Sequence, residues 1–167
     1  MTDRSLSHAI AEGDGISLVA LVDDAEAARA AQENGAEALA VVGDIAQVRG
    51  ASTLPILCFW VKSGPDGMRH ADACAVRPAD VDQLGEEANL ELALWVDDEE
   101  ELEDVLERFD PELLLLNGTF ESVLDLLADV PAGKLVIAEL RETTGAEFDE
   151  LERAGVDAVI VRDPDLL

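Results

Sequence analysis

Eight apolar runs of strand length recur along the chain, and they restrict its fold more than any other feature. They cover Ile16–Val22, Ala38–Val42, Leu54–Val61, Ala73–Val76, Leu90–Val96, Leu113–Leu116, Leu135–Leu140 and Ala158–Val161. Runs that are apolar throughout are typical of strands buried on both faces, and such strands occur in parallel sheets. Segments with helical patterning separate most of the runs. The sequence therefore predicts a series of βαβ crossovers.

Three stretches share one order of residues. In Asn34–Asp44, His70–Pro78 and Ala154–Asp163, a small residue is followed by an acid and then by an apolar run. This order is typical of a helix end that leads into a buried parallel strand. The chain therefore repeats one βα unit with variations.

Eight is the number of parallel strands that closes a TIM barrel. With 167 residues, each unit has only about 21, whereas a typical barrel of roughly 250 residues has about 31 per unit. An open doubly wound sheet is the alternative, but none of the eight runs has the polar character expected of an edge strand. We expect one (βα)8 barrel domain over residues 1–167, with residues 1–14 as an N-terminal cap segment. Its helices should be shortened or missing after strands 2, 3 and 8.

The helical segments are uneven in length. Helices are predicted over residues 5–12, 24–33, 79–88, 97–108, 120–128 and 144–154, with at most two turns over 44–49 and a loop over 62–67. The third strand is apolar on both faces and has little helix after it, so its outer wall needs a cover. We expect the N-terminal helix to cover part of this wall and a second copy of the chain to cover the rest, as a homodimer.

The charge balance narrows the set of partners. The chain has 38 acids and 11 bases, for a net charge of −27, which argues against nucleic acid or an anionic membrane surface. Such acidity is typical of proteins from a high-salt cytoplasm and predicts that salt stabilises the fold. No run is long enough to cross a bilayer and no signal-peptide pattern opens the chain, so a cytoplasmic location is expected. Cys58 and Cys74 lie in strand runs, which favours buried free thiols.

The first polar residue after each strand defines a ring at the carboxyl ends, where barrels bind ligands. The ring consists of Asp23, Asp44, Lys62, Arg77, Asp97, Asn117, Arg141 and Arg162. It holds four of the chain's eleven bases. One interpretation is an anion site, in which Arg141 and Arg162 grip a phosphate or carboxylate. The other is a belt of salt bridges that pairs Arg162 with Asp23, Lys62 with Asp44, and Arg77 with Asp97.

Other motifs for catalysis or metal binding are weak. The chain has no glycine-rich phosphate loop and no Gly-x-Ser-x-Gly sequence. His8 and His70 have no metal-ligand spacing. Asp23, Asp24 and Asp44 could hold Mg²⁺, but helix capping explains these acids more simply. The sequence therefore predicts neither a metal site nor a cofactor.

Several stretches resemble indole-3-glycerol-phosphate synthase, a TIM-barrel enzyme of tryptophan biosynthesis. Leu92–Leu102 (LALWVDDEEEL) resembles that family's fifth strand and the helix after it, Leu54–Leu57 its third strand, and Gly35–Leu39 its second. The similarity extends over residues 16–163. Phosphoribosylanthranilate isomerase fits residues 28–42 almost as well. The resemblance implies membership of the phosphate-binding barrel group and, for an active member, a carbon–carbon lyase reaction.

Matching the family residue by residue leaves most of its catalytic groups unmatched. Asn117 and Glu139 match the asparagine of the sixth strand and the glutamate of the seventh. Phe59 and Trp95 stand where the family has a catalytic lysine and glutamate, and Arg162 begins the stretch that replaces its phosphate loop. The resemblance thus implies a barrel without synthase activity that binds a small, phosphorylated or otherwise anionic ligand. The alternative is a divergent small lyase or isomerase that acts on a phosphorylated metabolite through Asn117 and Glu139, with Arg141 and Arg162 as the anion clamp.

Overall fold

Eight parallel strands form a closed barrel in which each strand pairs with its neighbours in chain order and the eighth pairs with the first. The computed structural model describes residues 5–12, 15–60, 68–83, 90–140 and 145–162. The strands are β1 Ser17–Val22, β2 Ala38–Val41, β3 Ile56–Phe59, β4 Ala73–Val76, β5 Glu91–Val96, β6 Leu113–Gly118, β7 Leu135–Leu140 and β8 Ala158–Val161. Ser17 to Ala20 pair with Ala158 to Val161, so the sheet has no open edge. The predicted closed (βα)8 TIM barrel is confirmed.

Helices lie between the strands on the outside of the barrel, and one precedes the first strand. In the described ranges they are α1 Leu6–Glu12, α2 Ala25–Glu33, α3 Ile45–Ala51, α4 Glu99–Arg108, α5 Phe120–Leu127 and α6 Gly145–Ala154, with short 3₁₀ helices at Met68–His70 and Pro78–Gln83. After β2 the helix has seven residues, as the sequence predicts. After β3 the described helix is the three-residue 3₁₀ turn.

Acidic residues begin three of these helices. The side chain of Asp24 accepts a hydrogen bond from the Ala27 amide, and that of Asp44 accepts from the Ala46 and Gln47 amides. Asp98 caps α4 in the same way through the Glu101 amide. Each carboxylate satisfies amides that the first helical turn leaves unpaired, and it lies at the positive end of the helix dipole. The capping interpretation of Asp24 and Asp44 is confirmed.

The barrel interior is aliphatic apart from Phe59 and combines small with large side chains. Its buried members are Val19, Ala38, Ala40, Leu57, Phe59, Ala73, Ala75, Ala93, Leu113, Leu115, Ile137, Ala158 and Ile160. Outside the barrel, β1–β4 pack under α2 and α3, and the opposite wall packs under α4, α5 and α6. Both faces of each strand are therefore buried, which is why the strands are apolar throughout in the sequence.

Helix α1 lies at the amino end of the barrel, which corrects the expected cover for β3. Leu6 and Ile10 belong to the interior core and are almost fully buried there. The Ser7 amide and the Ser5 hydroxyl both donate to a carboxylate oxygen of Glu91 at the start of β5, over 3.1 and 3.0 Å. Two large aliphatic side chains gain more by filling the open end of the barrel than by adding to an outer wall.

The outer wall of β3 is covered within one chain. Ile56 and Cys58 are fully buried, in a core that includes Ile45 and Val48 of the two-turn helix α3. The expectation that the third strand lacks cover is therefore wrong, because even a short helix places two aliphatic side chains against a four-residue strand. The homodimer stays a prediction, without the exposed wall that motivated it.

The α-helix predicted over residues 79–88 is not observed in the described part of that segment. Residues 78–83 form a 3₁₀ helix with no buried residue, and the remainder of the predicted helix lies outside the described residues. The sequence Pro78–Gln83 places one large aliphatic side chain, Val81, among polar neighbours. It therefore lacks the apolar stripe that holds an α-helix against a sheet. The loop predicted over residues 62–67 also lies outside the described residues.

The two cysteines are buried and free, as the sequence predicts. They occupy register-paired positions on β3 and β4, in the core under α2 and α3. The contact with Cys58 and burial both raise the pKa of the Cys74 thiol. Within the described ranges, no helix has both the length and the apolar character needed to cross a membrane.

Candidate functional site

The inward-facing side chains at the carboxyl ends of the strands form the candidate site, which we call the mouth. In strand order the mouth consists of Leu21, Val42, Phe59, Arg77, Trp95 with Asp97, Asn117, Glu139 and Arg162. Each position lies an even number of residues beyond an interior core residue of its own strand, so the alternation of a β-strand points it inward. Strand register thus assembles in one place residues that are far apart in the sequence.

Phe59 and Trp95 pack against each other in the mouth. Their ring centroids are 5.8 Å apart and the ring planes meet at 63°, an edge-to-face arrangement. The guanidinium of Arg77 lies over the Trp95 ring, 4.8 Å from its centroid. Phe59 is buried, whereas Trp95 keeps part of its surface exposed. Phe59 and Trp95 therefore fill this part of the mouth as packing groups.

Asp97 is the hydrogen-bond centre of one half of the mouth. One of its carboxylate oxygens accepts from Arg77 over 2.8 Å, and the other accepts from the Trp95 indole over 2.9 Å and the Asn117 amide over 3.1 Å. Burial by itself raises the pKa of the Asp97 carboxyl. The hydrogen bonds from Arg77 and Asn117 more than offset this, so the pKa lies below its ordinary value. The hydrogen bond to Asp97 in turn raises the pKa of Arg77.

Glu139 and Arg162 form the second polar pair of the mouth. A guanidinium nitrogen of Arg162 donates to a Glu139 carboxylate oxygen over 2.8 Å. The Glu139 side chain is only 8% exposed, whereas that of Arg162 is 53% exposed. The carboxylate thus holds the guanidinium from below, and about half of the arginine side chain faces solvent.

The predicted salt-bridge belt is only partly correct. The Arg77–Asp97 bridge is confirmed at 2.8 Å. The predicted pair between Arg162 and Asp23 is wrong, because Arg162 contacts Glu139 instead. Glu139 pairs in register with Ile160, two residues before Arg162, so its inward-facing carboxylate lies within reach of the guanidinium. Asp23 is exposed at the end of β1.

The remaining predicted site residues fall into two groups. Lys62 and Arg141 lie outside the described residues. The predicted Lys62–Asp44 salt bridge and the predicted anion clamp of Arg141 with Arg162 each involve one of them and therefore stay predictions. Asn117 and Glu139 are register partners on β6 and β7. Their side chains nevertheless serve different neighbours, since Asn117 donates to Asp97 and Glu139 accepts from Arg162.

Besides the partner of Arg162, sequence reasoning missed two polar contacts of Trp95: the indole bond to Asp97 and the stacking of Arg77. A signal for the first was present, because Trp95 and Asp97 are two residues apart at the end of one strand and therefore share a face. The second needed the pairing of β4 with β5, which places Arg77 beside Trp95. Among the described residues, no group of three potential His, Cys, Asp or Glu ligands could hold a metal ion.

The closed ring of eight parallel strands with polar groups at its carboxyl ends defines the protein as a minimal TIM barrel. Its fold is similar to a solved structure from Burkholderia cenocepacia J2315 described as a candidate phosphonomutase. The match has a TM-score of 0.63 at 17% identity and covers 88% of this chain and 87% of the other. At that identity the likeness shows the fold alone. No protein-family model matches the chain, and no curated protein does either.

The arrangement restricts what the mouth can do chemically. Its described cations, Arg77 and Arg162, each contact a carboxylate, and both remain partly exposed. A guanidinium has five donors in a fixed fork, so it can contact one carboxylate and still bind a second anion. The mouth therefore offers directed hydrogen-bond donors above an aliphatic and aromatic floor.

Proposed function

We propose that the protein is a non-catalytic barrel, related to the indole-3-glycerol-phosphate synthase group, that binds a small anion at the mouth with Arg162 as the main contact. The single observation that carries this proposal is the combination of exposure and contact at Arg162. Its side chain is half exposed at the carboxyl end of β8, while a nearly buried carboxylate holds one guanidinium nitrogen.

The acidic character of the rest of the chain makes the position of Arg162 informative. In a chain of net charge −27, most of the exposed charged residues are acids, and Arg162 has its guanidinium where barrels bind their ligands. Glu139 lies below it and limits its rotation. The remaining guanidinium donors are then oriented before a ligand arrives, which lowers the ordering cost of binding. Phosphate and carboxylate oxygens match the spacing of this fork.

The non-catalytic part of the proposal is supported by the floor of the mouth. General acid–base catalysis needs titratable groups directed at the ligand. Phe59 and Trp95 occupy two positions where the resembled family has a lysine and a glutamate, and they pack together there. Asp97 is already engaged by three donors.

Thermal unfolding with and without phosphate or sulfate tests the proposal. All samples must have equal ionic strength, balanced with chloride, because added salt screens the net charge of −27 and raises Tm without any site. An anion at about ten times its Kd adds about 1.4 kcal/mol, which is about 3–6 °C for a chain of this size.

Arg162→Ala should abolish the shift in Tm. Arg108→Ala is the matched control: its side chain is 55% exposed and pairs with Asp104 over 2.9 Å on α4, away from the mouth. This variant should keep the full shift. If phosphate and sulfate leave the Tm of the unaltered protein unchanged, or if Arg162→Ala keeps the shift, anion binding at this residue is wrong.

A small lyase or isomerase acting on a phosphorylated metabolite is the second candidate. It is favoured by the nearly buried Glu139 carboxylate, which a ligand bound to Arg162 would approach and which could then accept a proton. Turnover of a panel of phosphorylated metabolites, followed by phosphorus NMR, tests it. Activity that Glu139→Gln removes and Arg108→Ala retains would establish an enzyme in place of a binding protein.

A further inference from the structure

The mouth has two chemically different arcs. Leu21, Val42 and Phe59 are its members at the ends of β1, β2 and β3, and all three are apolar or aromatic. From β4 to β8 the members are polar except for Trp95, and the polar members are Arg77, Asp97, Asn117, Glu139 and Arg162. Leu21, Val42 and Trp95 are only partly buried, so a molecule in the mouth can reach them.

The charged end of the polar arc lies directly beside the apolar arc. Ala20 pairs in register with Val161, so the next residues along the two strands, Leu21 and Arg162, are neighbours across the closure of the barrel. On the other side of Leu21, Ala40 is its register partner on β2, and Val42 follows two residues further toward the carboxyl end. A ligand held on Arg162 therefore meets Leu21 first and Val42 next.

These neighbours discriminate between ligand bodies. A sugar phosphate carries hydroxyl groups that need hydrogen-bond partners once water is displaced, and Leu21 and Val42 offer none from their side chains. A hydrocarbon or aryl body loses no hydrogen bonds there and gains by leaving water. Each methylene that becomes fully buried increases affinity about fourfold.

We infer that the mouth takes a small organic anion whose charged group lies on Arg162 and whose hydroxyl-free hydrocarbon body lies on Leu21 and Val42. This inference rests on the proposed function, and it names the ligand class of the same site. It sets alkyl and aryl carboxylates or monophosphates apart from sugar phosphates.

A homologous series tests the inference. Affinities of acetate, butyrate and hexanoate are measured by calorimetry at constant ionic strength, beside inorganic phosphate and the trihydroxylated counterpart of butyrate. Affinity should rise by about twofold to fourfold per added methylene until the apolar arc is filled. The trihydroxylated acid should bind at least tenfold more weakly than butyrate.

Two variants test whether the dependence of affinity on chain length comes from the apolar arc. Leu21→Ser and, separately, Val42→Ser should flatten the dependence on chain length. Leu18→Ser is the matched control, because Leu18 is a partly buried leucine of the same strand that packs on the outer wall, and it should keep the dependence. Circular dichroism confirms that each variant is folded, and two arc variants keep the test valid if one of them does not fold.

The outcomes separate the two proposals. If phosphate binds but affinity does not change with chain length, or the trihydroxylated acid binds as tightly as butyrate, the ligand class is wrong and the anion site stands. A chain-length dependence that survives both arc variants also overturns the ligand class. If none of the anions binds, the proposed function fails as well.

Discussion

The carboxylates at the two ends of the barrel differ in whether they pair with strand amides, although Asp72 at the amino end also accepts from Arg49 over 2.7 Å. At the amino end, the carboxylates of Glu37, Asp72 and Asp157 accept hydrogen bonds from the amides of Leu18, Ile56 and Val136, at or next to the starts of β1, β3 and β7, over 3.2, 2.9 and 2.8 Å. At the mouth, Asp97 and Glu139 accept from side chains, which include those of Arg77 and Arg162.

The difference shows which end maintains the fold. An amide that begins a buried strand must be paired, and leaving it unpaired costs as much as a lost hydrogen bond. The amino end is therefore part of the framework, together with Leu6 and Ile10 of α1. The mouth satisfies its charges mostly among side chains that are partly exposed, so it can exchange one of these partners for a ligand at small cost.

The largest expected effect is at the amino end. Leu6→Ala removes a fully buried side chain from the barrel interior and should lower the free energy of unfolding by about 2–5 kcal/mol. Leu21→Ala at the mouth should cost less than half as much, because Leu21 is only partly buried. Urea unfolding at fixed salt measures both. Equal losses would remove the distinction between the two ends.

Asp157→Ala is expected to have the next largest effect. It removes the acceptor of the Val136 amide and should destabilise the fold by about 1–3 kcal/mol. Asp157→Asn keeps a carbonyl oxygen at that position and should recover most of the loss in the same urea titration. If the alanine variant is as stable as the asparagine variant, the carboxylate does not serve the strand start.

The Arg77–Asp97 pair should contribute less. Its two side chains are 40% and 36% exposed, so a double-mutant cycle with alanine should give a coupling of about 0.2–1 kcal/mol. The Arg108–Asp104 pair on α4 provides a reference of about 0.3–0.5 kcal/mol for an exposed helical pair. A coupling above about 2 kcal/mol would instead indicate a buried framework at the mouth.

The smallest expected effect is a difference in pH dependence. The pKa of Asp97 is lowered, so its stabilisation is present above the ordinary value of 3.8 and is lost as pH falls through the lowered value. Burial raises the pKa of Asp157, and the Val136 amide offsets this only in part. The folded state therefore binds the additional proton, and the Asp157 contribution decreases as pH rises from 3.8 through the raised value.

Stability measured against pH in Asp97→Asn and Asp157→Asn tests these signs. The first variant should lose less stability than the unaltered protein as the solution is acidified. The second should lose more, because it lacks the group that becomes less costly when protonated. Two curves that shift in the same direction would contradict the opposite signs at the two ends.

The strands were predictable because burial on both faces leaves a continuous apolar run in the sequence. β4, β7 and β8 have the predicted limits, and the other strands lie within one residue of theirs except β3 and β6, whose ends differ by two residues. The helix predicted over residues 79–88 has only Val81 and Leu84 as large aliphatic residues in its sequence, and the described part of that segment is a 3₁₀ helix.

The candidate site was only partly predictable. Listing the first polar residue after each strand identifies Arg77, Asp97 and Asn117 as neighbours, and these residues are connected by hydrogen bonds. The partner of Arg162 could not be read in the same way. Glu139 lies inside the apolar run of β7, so a list of the polar residues that follow each strand does not include it. Only the register with β8 brings it to the arginine.

By itself the sequence determined the number of strands, their burial and the repeated order of a small residue, an acid and an apolar run. In all three repeats the acid precedes an even-numbered strand, and these acids are Glu37, Asp72 and Asp157. The tertiary structure decided what each acid does, because its carboxylate accepts a hydrogen bond from a backbone amide of the preceding odd-numbered strand. It also decided that α1 fills the amino end and that Arg162 contacts Glu139. These contacts join residues 16 to 86 positions apart, and a pattern local to each strand carries no information about which distant residue its side chain meets.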